Sequence, residues 1–168
     1  MTRVNKAMKY FSVTVACLLL CGCVSSRIIS SSDHDDIAEA VLRHMFRPEP
    51  FEREVSHAVN QIHKVYFVAF ADSADPSPEF IKRFDDLKLP VKPLSTGEWR
   101  RMFIYDKATG ERGAAFYIEK ITMHGRRTAE VKAALHPGGG LSASGLVYRV
   151  VQKNGKWVVI GERLKWIS

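Results

Sequence analysis

The chain has 168 residues, with 25 Lys and Arg against 18 Asp and Glu, 46% apolar residues and three cysteines. That length holds one domain around a single core and excludes a two-domain enzyme with its own cofactor domain. The charged and apolar fractions are those of an ordinary globular protein, which excludes collagen-like, repetitive and intrinsically disordered chains.

Arg3, Lys6 and Lys9 precede an uncharged apolar run over residues 10–22. This is the layout of an export signal, and the run is shorter than the roughly 20 apolar residues a membrane-spanning helix needs. It ends in Leu20-Cys21-Gly22-Cys23. On that motif the leader resembles a bacterial lipoprotein precursor. The resemblance implies cleavage before Cys23, a diacylglyceryl thioether on its sulfur, and commonly an acyl chain on the new amino group. Cys21 is the poorer match, because Leu20 and not a small residue precedes it. The implied partner is the lipid bilayer, held through acylated Cys23: each buried methylene adds about 0.8 kcal/mol, so two or three chains hold far more firmly than one. In this family an aspartate after the lipidated cysteine retains the protein in the inner membrane. Val24 stands there instead, which implies the outer membrane, facing the periplasm, if the source is Gram-negative. The expected organisation is a signal peptide over residues 1–22, the lipidated cysteine and a serine-rich flexible tether over 23–32, and one globular domain over 33–168.

Cleavage removes three basic residues and no acids, so the chain from Cys23 onward has 22 basic and 18 acidic residues, a net of +4. Much of the basicity therefore belongs to targeting. Arg100-Arg101 and Arg126-Arg127 are short pairs, without the basic stripe and interleaved aromatics of a nucleic-acid reader, and nucleic acid is not an expected partner. Cys17 and Cys21 leave with the leader and Cys23 becomes a thioether. The expected domain thus has no thiol for a disulfide, a nucleophile or a metal site.

A first helix is predicted from Ser32 or Asp33, where Ser32 and Asp35 have capping-box spacing and three aspartates favour the positive end of the dipole. Ile37, Ala38, Val41, Leu42 and Met45 form its apolar stripe, and Pro48 and Pro50 end it. Residues 51–63 are ambiguous. Residues 64–70, rich in valine and aromatics, read as a strand covered on both faces. Ser77 as N-cap, Pro78 at the first helical position and Glu79 in the first turn predict a second helix, with Phe80, Ile81, Phe84 and Leu87 on one face. Pro90 and Pro93 mark an extended connection, residues 99–105 read as one strand, and residues 106–110 as a turn.

Residues 114–123 and 128–135 read as a hairpin through a two-residue turn inside His124-Gly125-Arg126-Arg127, with Gly125 at the first central position. In that register, positions whose numbers sum to 251 face each other. Phe116, Ile118, Ala129, Val131, Ala133 and Leu135 then share one face, and Glu119 lies opposite Lys132. A second hairpin joins residues 146–152 to 157–166 through Asn154-Gly155. The fold class is α+β, N-terminal helices packed on a curved antiparallel sheet ending in a C-terminal β-meander. In element order this is similar to nuclear transport factor two-like and cystatin-like architectures. Asp75-Pro76-Ser77, Glu79-Phe80, Arg83-Phe84, Thr109-Gly110 and Asn154-Gly155-Lys156-Trp157 also resemble small secreted bacterial proteins of uncharacterised function.

Six histidines, at 34, 44, 57, 63, 124 and 136, form no known ligand spacing. His34 among Asp33, Asp35 and Asp36 is explained by helix-terminus chemistry. His57 and His63 lack the Glu of a zinc-protease helix. Gly138, Gly139 and Gly140 are followed by a strand pattern and not by the helix a phosphate cradle needs, so they read as a flexible loop. No Gly-x-Ser-x-Gly elbow follows the leader. Enzymes of the isomerase type on cone-shaped sheets use carboxylates and tyrosine in an apolar pocket, which singles out Tyr117, Glu119, Glu130 and Tyr148. A cross-strand ion pair on a wet face accounts for Glu119 and Lys132 more simply. No catalytic, cofactor or metal residue is assigned. The expected function is a membrane-anchored binding module with an envelope protein partner, the alternative being a pocketed small-molecule carrier or isomerase-like enzyme. A core filled by Phe80, Phe84, Phe116 and Trp166 would leave that alternative without its site.

Overall fold

The structure is a computed structural model and describes residues 31–47, 63–138 and 143–167. The leader, Cys23, most of the ambiguous segment with His57, and Gly139 and Gly140 lie outside the described residues. Helix α1 (Ser31–Met45) starts within the last residues of the expected tether. Ile37, Ala38, Val41 and Leu42 are fully buried, at helical spacing, and Met45 is partly so. They share one apolar cluster with Phe116, Ile118, Val131, Tyr148 and Trp157 from the strands. Fully burying side chains of this size contributes about 1.5–3 kcal/mol each.

The fold is mixed α/β and dominated by one eight-stranded sheet, in the order β2 (Val91–Pro93), β1 (Val65–Phe70), β5 (Arg112–Met123), β6 (Thr128–His136), β7 (Ser144–Lys153), β8 (Lys156–Ile167), with β4 (Phe103–Asp106) pairing β5 and β3 (Gly97–Arg100) pairing β4. β1 (Val65–Phe70) lies between β2 (Val91–Pro93) and β5 (Arg112–Met123) and runs parallel to both. The sheet is therefore mixed and not antiparallel throughout. Parallel neighbours need a connection of a dozen or more residues. The chain from β1 to β2 supplies one, through a short 3-10 turn (Ala71–Ser73) and helix α2 (Pro78–Lys82). An interior strand is covered on both faces, which explains the near-continuous apolar run Val65-Tyr66-Phe67-Val68-Ala69-Phe70. Val68 joins the helix-side cluster, while Val65 and Phe67 join a second one with Ile104 and Ala115.

Helix α2 starts as its sequence dictates, with the Ser77 hydroxyl accepting from the Phe80 N–H at 3.1 Å. The expected extended connection holds β2, a short edge strand where proline is tolerated. The expected strand over 99–105 is instead a hairpin of β3 (Gly97–Arg100) and β4 (Phe103–Asp106), which turns at Arg101 in the left-handed region (φ 58°).

The C-terminal meander is β5, β6 (Thr128–His136), β7 (Ser144–Lys153) and β8 (Lys156–Ile167), all antiparallel. The expected register holds from Ala115–His136 to Ile118–Ala133 and then slips by one residue, so that Lys120, and not Glu119, faces Lys132. Glu119 is left unpaired in a β-bulge. The reason lies in the apolar pattern: Phe116 and Ile118 alternate, Ile121 and Met123 alternate, and only an extra residue between them keeps all four on the core face. The turn differs too. The His124 N–H donates to the Thr128 carbonyl at 2.8 Å, so three residues connect the strands and not two. β7 and β8 meet at Lys153–Lys156, with Asn154 (φ 51°) and Gly155 (φ 76°) both left-handed, the conformation of a two-residue primed turn.

Candidate functional site

The space between the helices and the sheet is filled by rings. Phe46 stacks on Tyr66 at 4.6 Å and meets Phe116 edge-on at 4.9 Å, and Phe80 and Phe84 meet at 5.5 Å. Phe80, Phe84 and Phe116 are buried there, as the core expectation required, but Trp166 is not among them. It is 38% exposed and sits toward the opposite face.

On that opposite face a cleft of about 430 Å³ is bordered by Asp72, Ser73, Tyr117, Glu119, His136 and Trp166. Its floor follows one row of the ladder, Tyr117–Ala134–Gly145–Trp166. The indole lies across Gly145, where a Cβ would overlap Nε1 and Cε2. Asp72 (φ 56°) and Ser73 (φ 60°) form its rim, two successive non-glycine residues in the left-handed region, a conformation that costs of order 1–3 kcal/mol each. Burial pushes the Tyr117 phenol above its ordinary pKa, so the hydroxyl stays protonated and can donate. His136 meets Trp99 edge-on at 5.3 Å. Asp72 and Glu119 make no ion pair among the described residues, and no hydrogen bond joins Asp72, Tyr117, Glu119 and His136 to one another. The cleft offers aromatic walls, a phenol donor and two carboxylate acceptors.

Of the other residues singled out, Glu130 is half-buried between Thr122 and Arg149 in the ladder, away from the cleft. Tyr148 is buried in the core with the His44 ring edge-on at 5.6 Å. His44 Nε2 also lies 3.2 Å from Glu162 on β8. His34 packs edge-on against Phe70 at 5.4 Å. His63, expected at an ordinary polar position, is 2% exposed, and its Nδ1 has no hydrogen-bond partner among the described residues. Burial first, and then the Arg112 charge, lower its pKa.

The exposed large apolar side chains are concentrated on one strand. Val158, Ile160, Leu164, Trp166 and Ile167 are five of the seven, and all belong to β8, which ends the strand order. Leu164 faces Leu146 and shares the face of the core, yet is 52% exposed. Among the described residues nothing pairs with the outer edge of this strand. The strand of β8 was expected from Asn154-Gly155, but neither its exposed apolar side chains nor the Asp72-Ser73 rim was reached by sequence reasoning, and the one signal available for the cleft was the break in apolar alternation between Ile118 and Ile121. Cys23 lies outside the described residues.

No family model matches this chain, and neither a curated protein nor a solved structure is significantly similar to it.

Proposed function

We propose that the protein is a lipoprotein of a bacterial envelope, anchored through acylated Cys23, whose domain is a non-catalytic binding module for another envelope protein. The observation that carries the binding role is β8, an edge strand on which most of the exposed large apolar side chains gather. Exposed edges invite pairing and are normally blunted, so a long apolar one marks an interaction surface. Tethering fits this role, because confinement to a surface raises the effective concentration of partners on it. The ring-filled space beneath the helices favours a solid domain over a hollow carrier. If the source is Gram-negative, Val24 favours the outer membrane, facing the periplasm.

A second reading, a small-ligand site, draws on the cleft beside Trp166 and Tyr117. One experiment separates the two: crosslinked capture of the wild type, of Cys23→Ser and of Ile160→Lys with Leu164→Lys. One protein recovered near-stoichiometrically with the wild type, and lost with the β8 variant, supports the module. Undiminished capture by the β8 variant refutes the assignment to β8. Undiminished membrane recovery of Cys23→Ser refutes the anchor.

A further inference from the structure

Residues i and i+2 of a strand share a face, so the ladder pairs sort the meander into two sides. Rows through Ile121, Val131 and Tyr148, and through Ala129, Val150 and Val159, make the core face. The rows between them make the other. One of these runs Lys120–Lys132–Val147–Arg163, and the next Thr122–Glu130–Arg149–Gly161. Lys120 and Lys132 are thus directly opposed, with Cβ atoms about 5 Å apart, where like charges destabilise a sheet.

The bulge is the origin of this opposition. Without it Lys132 would face Glu119 in a favourable pair. With it Glu119 drops out of the ladder toward the cleft, and a second cation takes its place. None of Lys120, Lys132, Arg149 and Arg163 makes an ion pair among the described residues, whereas Arg43, Arg83, Lys92 and Arg100 all do. The acids near this row are Glu130, opposite Arg149, and the bulged Glu119. Arg126, Arg127, Lys153 and Lys156 are exposed at the two turns that bound the face. Trp166 and Val158, both partly exposed, lie on the same side. Uncompensated cations beside an exposed tryptophan are the composition of a surface that meets the phosphate layer of a bilayer.

We propose that this face of the meander rests on an anionic phospholipid membrane, with Lys120, Lys132, Arg149 and Arg163 against headgroup phosphates and Trp166 at the interface. The proposal rests on the lipid-anchor reading only for what brings the domain there. The chain from Cys23 to Ser31 spans at most about 30 Å fully extended. His34, in the first turn of α1, packs on Phe70, which pairs with Ile118 on the core face and also borders the cleft at the end of β1. The first turn of α1 thus lies beside the cleft at the end of β1, on the helix side of the sheet.

The test is sedimentation of the full chain carrying Cys23→Ser with vesicles of phosphatidylcholine, alone or with one third phosphatidylglycerol. A second chain adds Lys120→Gln, Lys132→Gln, Arg149→Gln and Arg163→Gln, and a third adds Lys120→Arg and Lys132→Arg. All three share residues 1–22, so differences report the face. Circular dichroism checks that each is folded. The expected result is partition onto the anionic vesicles that weakens at least about tenfold in the glutamine chain, survives in the arginine chain and fades in high salt. Equal partition of parent and glutamine chain overturns the proposal. So does capture of soluble polyphosphate without any partition onto vesicles. Because no lipid is attached in this assay, failure of the anchor reading in cell fractionation leaves its outcome intact, and the reverse also holds.

Discussion

The Trp166 indole rests on Gly145, so closely that even a methyl group there would overlap Nε1. Gly145 is therefore the seat of the ring that walls the cleft. Gly145→Ala should lift the indole and cost about 1–3 kcal/mol, the usual range for an overpacked site. The Trp166 indole N–H resonance reports the displacement directly. An unchanged resonance at unchanged stability would mean that the ring does not sit there.

His63 gives the fold a dependence on pH near neutrality. Its buried ring, next to the Arg112 charge, has a pKa below the ordinary histidine value. Between that lowered value and about 6.5 the unfolded chain binds a proton that the folded chain refuses. The stability is thus complete above about pH 6.5 and falls as pH drops through this window, by at most about 1.4 kcal/mol per unit. His63→Gln should flatten the slope of urea midpoint against pH relative to the wild type. Parallel slopes would show that the ring titrates freely in the folded protein.

Asp106 acts in the same sense on the pH axis, but at lower pH. It is 2% exposed, pairs with Lys92 and accepts from the Ala108 N–H at 2.9 Å, closing the turn after β4. The Lys92 hydrogen bond holds its carboxyl below the usual aspartate range. Its contribution is therefore present above about pH 4, and is lost as pH falls through the folded value. Asp106→Asn should destabilise the protein by about 2 kcal/mol at neutral pH. Urea melts should show the gap to wild type closing in acid.

Local chemistry made several elements readable in advance: the Ser77 cap, the α1 stripe, and Asn154-Gly155, a dipeptide that readily accepts the left-handed pair of a primed turn. What could not be read was pairing at a distance. A run of apolar residues announces that β1 is covered on both faces, but not that its neighbours are parallel, because that depends on where two long connections return. Bulges defeated the rest. In β8, Ile160 and Lys165 fall outside the ladder, so alternation counted from Trp157 is out of phase over residues 161–164 and back in phase at Trp166. Trp166, named with the phenylalanines as a side chain that could fill the core, lies at the cleft instead, on the face that alternation from Trp157 already gives it. The bulge at Glu119 had a visible cause, the three-residue spacing of Ile118 and Ile121, and the cationic row follows from it.

That row yields a prediction whose sign discriminates between registers. If Lys120 faces Lys132, as the bulged ladder has it, Lys132→Glu replaces a repulsive pair by an attractive one and should stabilise the fold by about 0.2–1 kcal/mol. In the unbulged register the same change would set the new carboxylate against Glu119 and destabilise it. Urea denaturation decides between the two directions. The stabilised variant should also partition less onto anionic vesicles, because one headgroup contact has become an anion. Gain in stability with loss of membrane contact is the trade expected of a residue kept for its surface and not for its fold. A variant stabilised with undiminished vesicle binding would leave the register standing and remove Lys132 from the membrane face.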